Sequence, residues 1–265
     1  MKTLFKKNRK HLALALLALV ATFGAYRFYQ GLTQQQAIYE AHGSKLSAKE
    51  YFGQLLTQEL DCVWKAFEKI GITKKRYEDA KNNYRNQYLR SDFPGGSIQV
   101  SDQTKQFVNG ILKELGVDPA TITITGWDDI SPAAATEHII YINEKEFSNY
   151  SLPARRFIIG HEIQHILHKD NWSRYSLELL CNNEVEKMAG KKDHPLCQYS
   201  RFKEKRADVT MATTSKEWAE GYLAFAKEWH KRAGDNPGVT HPLNKDRVAL
   251  AQDIVTHMKR SVQSA

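Results

Sequence analysis

Apolar residues recur at helical spacing over most of this chain. Between Ser47 and Gly71 the residues Phe52, Leu55, Leu56, Val63, Phe67 and Ile70 fall on one stripe. Ser47 and Glu50 have the spacing of a capping box, which opens a helix, and Gly71 closes it. Thr73 to Leu89 predicts a second helix with Tyr77, Ala80, Tyr84 and Tyr88 on a shared side, and Ser91 to Gly96 is a break. Helical spacing returns from Val100 to Leu115, with Gly116 as its stop. The period then changes to two. Thr121 to Thr125 alternates polar and apolar as a half-buried strand, Ser131 to Thr136 reads as a loop, and His138 to Ile142 as a second strand. After a short turn or helix over Asn143 to Tyr150, helices are predicted over about 154–168, 175–188, a run through Glu204 to Ala212, 218–232 and 243–259. The fold class is α+β, helix-rich with one small sheet.

Composition changes this picture at one end only. With 42% apolar and 26% charged residues, the 265-residue chain can bury a substantial core. Part of the net charge of +8 sits in Lys2, Lys6, Lys7, Arg9 and Lys10, ahead of an uncharged apolar stretch from Leu12 to Tyr26. A basic head followed by an apolar run is an export or anchoring signal. Tyr26, Phe28 and Tyr29 behind it resemble an interfacial belt, which favours an uncleaved single-pass anchor over a cleaved signal peptide. The bulk of the chain would then lie on the outer, periplasmic side of a membrane, or be periplasmic or secreted after cleavage. Three segments follow: a head and signal segment over 1–29, a helical linker or accessory segment over 30–92, and a main domain over 93–262. No basic run is interleaved with aromatics at a nucleic-acid-binding spacing, so no nucleic-acid partner is expected. Cys181 and Cys197 could pair in an oxidising compartment, or all three thiols, with Cys62, stay reduced.

The chemistry concentrates in Phe157 to His168, which contains His-Glu-x-x-His at His161, Glu162 and His165. Four residues apart on a helix, two imidazoles share one face and can grip a zinc ion, with Glu162 placed to take a proton from a water on the metal. A hydrolytic zinc site needs a third protein ligand. His168 is seven residues from His161, about 10 Å along the axis at ~1.5 Å per residue, too far to share one ion. The tenth position after His161 is Asn171. Glu204 is the better candidate. Asp208 falls one turn later on the same helix face and could orient a ligand histidine through its other ring nitrogen. Taken alone, this pair could equally be a solvated face answering Lys203, Lys205 and Arg206.

His-Glu-x-x-His followed by Glu-x-x-Ala-Asp, and then by Thr240-His-Pro, resembles the gluzincin family of membrane-associated metallopeptidases that includes HtpX and the CAAX prenyl proteases. The resemblance covers about residues 95–260 and three separated motifs in order. It implies a zincin-type domain holding one zinc ion by His161, His165 and Glu204, with Glu162 as general base and acid. It also implies His241 beside the developing oxyanion, and Arg247 at the family's arginine position. Gln164 departs from the pattern, filling a slot where a small residue is frequent. Without the several spans of those relatives, the chain fits a single-anchor or periplasmic branch. The expectation is a zinc endopeptidase acting on unfolded or membrane-associated polypeptides; the alternative is a non-catalytic, chaperone-like zinc-binding module. If the strand His138 to Ile142 is a sheet edge, His138, Ile139, Ile140 and Tyr141 would engage an extended substrate by main-chain hydrogen bonds.

Overall fold

The computed structural model describes residues 46–88, 98–181, 194–235 and 241–263. The head and apolar stretch over 1–29, residues 30–45 behind it, the Ser91–Gly96 break and the second half of the helix expected over 175–188 lie outside the described residues. Among the described residues, no helix is long and apolar enough to cross a membrane.

Helix α1 spans Ala48–Glu68 and α2 spans Lys74–Tyr88. The α1 stripe buries Phe52, Val63 and Phe67 as its spacing predicts, but Ile70 is 48% exposed. The helix stops at Glu68, so Ile70 lies in the turn and leaves the helical stripe. Gly71 takes φ +80°, a left-handed conformation that suits a residue without Cβ. These helices fall within the compact unit that runs from Ala48 to Ala265.

Helix α3 (Asp102–Glu114) follows, capped by the Ser101 side chain on the Thr104 N–H. A single 3₁₀ turn, Pro119–Thr121, leads into β1 (Thr123–Gly126), then β2 (Ala133–Ala135) and β3 (Ile139–Ile142). Two expectations need correction. The stretch 131–136 is not wholly loop, because Ala133–Ala135 pairs antiparallel with β3, Ala134 opposite Tyr141. The sheet order is β1-β3-β2, with β1 and β3 parallel, so β3 is the central strand. A strand bonded on both sides offers no free edge, which removes the expected substrate-pairing role of His138, Ile139, Ile140 and Tyr141. Among the described strands, β2 flanks β3 on the side next to the helix that carries the histidine pair.

The remaining helices are α4 (Glu144–Ser148), α5 (Leu152–His168), α6 (Asp170–Leu180), α7 (Pro195–Ala212), α8 (Lys216–Ala233) and α9 (Asn244–Gln263). Helix α5 is the axle of the fold. It packs against α8, α7, α3 and β2, and Phe157, Ile159 and Ile163 on it are almost fully buried. A Cβ on Gly160 would lie 2.7 Å from Met211 Sδ and from the Trp218 ring, so the missing side chain lets α7 and α8 close onto α5. Lys169 ends α5 in the left-handed region (φ 55°), turning the chain so that α6 starts at the next residue.

Among the described residues, two apolar cores result. One, around α5, joins the sheet, α3, α8 and α9. The other gathers Trp64, Phe67, Ile72, Tyr77, Tyr199 and Phe202, with the buried side chains of Cys181 and Cys197. Helix α7 borders both.

Candidate metal centre

The histidine pair sits in the middle of α5, where one face is closed by core and the other looks across to α7. His161 Nε2 and His165 Nε2 lie 2.9 Å apart. From α7, Glu204 brings one carboxylate oxygen to 3.3 Å from His161 Nε2 and the other to 3.6 Å from His165 Nε2. One ligand atom from each of the three residues lies within 4.8 Å of the others, so the trio could hold a metal ion. His168 is not in this group, as its axial distance predicts.

Each imidazole is fixed from behind. Asp208 Oδ1 lies 2.8 Å from His161 Nδ1, and Asp170 Oδ2 lies 2.7 Å from His165 Nδ1. A carboxylate only accepts, so a neutral ring beside one carries its proton on Nδ1 and leaves Nε2 as a bare lone pair. Two such lone pairs and a carboxylate then face one point. These three acceptors repel one another unless a cation or protons stand between them. That donor set fits a divalent transition ion.

The supporting carboxylates are themselves neutralised. Asp208 receives Arg247 in a fork, Nη2 at 2.7 Å and Nε at 2.9 Å, and the Tyr222 hydroxyl at 3.0 Å. Asp170 receives Arg206, and Lys203 Nζ stands 3.5 Å from its backbone oxygen. Burial would raise both carboxyls, but Arg247 and His161 hold Asp208 below the usual range, and His165 and Arg206 do the same for Asp170. Burial likewise opposes the charge on Glu204, and the two imidazoles override it, holding the carboxyl well down. Glu162 differs. Burial dominates there and raises its carboxyl, the direction that suits a group exchanging protons near neutrality.

Glu162, the three candidate ligands and His241 line one cavity of about 390 Å³, with Ala133, Ala134 and Ala135 of β2 on its wall. His241, just before α9, is exposed and brings Nε2 to 3.4 Å from a Glu204 oxygen. The structure thus gathers His161, Glu162, His165, Glu204, Asp208, His241 and Arg247 around one point. His138, Ile139, Ile140 and Tyr141 are not on this cavity's wall. Gln164 is buried, with its amide nitrogen 3.9 Å from Met211 Sδ behind the histidine face.

Three side chains that support this group escape a reading of the motifs. Asp170 had a signal, as the first acid after the histidine helix. Arg206 was legible only as a partner for surface acids. Tyr222 had no signal, since it reaches the site from a helix that carries no ligand.

Comparisons of the chain with family models, curated proteins and solved structures gave no match.

Proposed function

We propose that this chain is a zinc-dependent endopeptidase of the gluzincin type, cleaving unfolded or membrane-associated polypeptides. The observation that carries the reading is the facing pair of imidazole lone pairs closed by Glu204, with Glu162 on the wall of the same cavity. The order of the three motifs, matching the family it resembles, supports it.

Zinc suits two imidazoles and one carboxylate, and in such a site it would acidify a water and polarise a carbonyl. The chain's own residues supply the rest. Glu162, its carboxyl raised by burial, accepts the proton of the attacking water and hands it to the departing amine. His241, on the open side of Glu204, donates toward the charge that develops on the carbonyl oxygen. Arg247 and Asp208 keep His161 oriented while this happens. Strand β2 offers the edge along which an extended peptide could lie, with alanine side chains that leave room for it. Such pairing reads backbone rather than side chains, in keeping with unfolded substrates. The basic head and apolar stretch over 1–29 support a tether that places this domain outside the cytoplasmic membrane.

Glu162→Gln tests the reading. The variant should keep its zinc and lose cleavage of an unfolded casein-type substrate. Undiminished cleavage would refute the role of Glu162. A zinc-loaded wild type that binds unfolded chains without cutting them would favour the chaperone-like alternative.

A further inference from the structure

Asp208 is fully buried, and four contacts surround its carboxylate. Oδ1 faces His161 Nδ1 at 2.8 Å and Arg247 Nη2 at 2.7 Å; Oδ2 accepts Arg247 Nε at 2.9 Å and the Tyr222 hydroxyl at 3.0 Å. Three of the four are hydrogen bonds, and the remaining one sets His161 Nδ1 at hydrogen-bonding distance from Oδ1. Three of the contacts come from residues that the motifs point to. The fourth comes from α8, a helix with no ligand on it.

Tyr222 cannot drift. It is fully buried, and its ring stacks on Phe157 with centroids 4.8 Å apart. Phe157 lies one turn before His161 on α5. Beside Tyr222, a Cβ on Gly221 would come to 3.0 Å from the Pro153 carbonyl oxygen, so a glycine there lets α8 lie close enough for the phenol to reach across α5. From these contacts we infer that Tyr222 is a positioning residue of the metal centre. Its hydroxyl locks the Asp208 carboxylate, which holds His161 with Nε2 turned toward His165 and Glu204. Burial and the Asp208 charge both keep the phenol protonated well above its ordinary range, so the hydroxyl stays a donor. Without it, one oxygen of a buried charge loses a partner, and the carboxylate is free to tilt away from the imidazole.

The inference rests on the metal-binding reading above, and Tyr222→Phe tests it, since the ring and its stacking are kept. In the full-length protein, zinc affinity measured by competition with a chromophoric chelator should fall roughly tenfold. The His161 Nδ1 proton resonance should move while that of His165 holds, a readout that a purely packing role would leave unchanged. In an Asp208→Asn background, adding Tyr222→Phe should change zinc affinity no further. Unaltered affinity in Tyr222→Phe, or full additivity with Asp208→Asn, would overturn the inference and leave the zinc site standing. A wild-type protein that takes up no zinc would overturn the metal-binding reading itself, and the inference with it.

Discussion

Asp170 Oδ2 lies 2.7 Å from His165 Nδ1, five residues along the chain and across a left-handed turn at Lys169. The end of one helix and the start of the next are thus spent on aiming one imidazole. Asp170→Asn preserves the shape but lets the ring adopt the other tautomer. Metal affinity should drop by roughly 10- to 100-fold, read by chelator competition, while the metal-free fold survives.

Acid and base should both destabilise the metal-free protein, each through different groups. Burial lowers the imidazole pKa values, but Asp208 beside His161 and Glu204 beside His165 override it, raising them from 6.5 to about 9 and about 10. A raised imidazole contributes stability in full below its unfolded value of 6.5, and loses it as pH climbs through 9 to 10. The depressed carboxyls of Glu204, Asp170 and Asp208 contribute above the carboxylate range and lose it in acid. Denaturation midpoints of metal-free protein should therefore fall toward both extremes. Zinc added in weak buffer near neutrality should release protons, because the ligand rings must give theirs up.

Two glycines should respond oppositely to alanine. At Gly160 the new Cβ meets Met211 and Trp218 inside the core, so Gly160→Ala should destabilise by about 1–3 kcal/mol. At Gly110, inside α3, nothing stands within 4 Å of the new Cβ. There, alanine should stabilise by about 0.4–1 kcal/mol through the unfolded chain. Urea titrations of both variants measure the contrast.

Strand β2 gives a kinetic prediction. Thr136 N–H bonds inward to the Ile139 oxygen, and Asn171 bonds the outward-facing Ala135 oxygen at 2.9 Å. By alternation, the Ala135 N–H also faces away from β3. Ala135→Pro removes that donor while leaving the β3 ladder whole. With a peptide substrate, KM should rise several-fold, with kcat and zinc content little changed.

The histidine helix was legible because spacing of four is a property of the helix itself, and Glu204 and Asp208 followed by the same rule. Strand β2 was hidden, since three alanines have no β preference and become a strand only through pairing with β3. For the same reason β3 looked like an edge, as its second neighbour carried no signal. Tyr222 is joined to Asp208 across 14 residues by tertiary packing alone, which no local period records.

Helix α7 carries Glu204 and Asp208 on the face toward α5, while Tyr199 and Phe202 enter the core shared with α1 and α2, and Lys205 reaches Glu59 of α1 at 2.6 Å. An ion held by Glu204 is therefore tethered to helices that contribute nothing to its coordination. Whatever stabilises the bound form over the opened one must slow amide exchange on both sides of α7, in α1 as well as in α5. Zinc uptake in this chain should register as a change in the cooperativity of the whole fold from Ala48 onward.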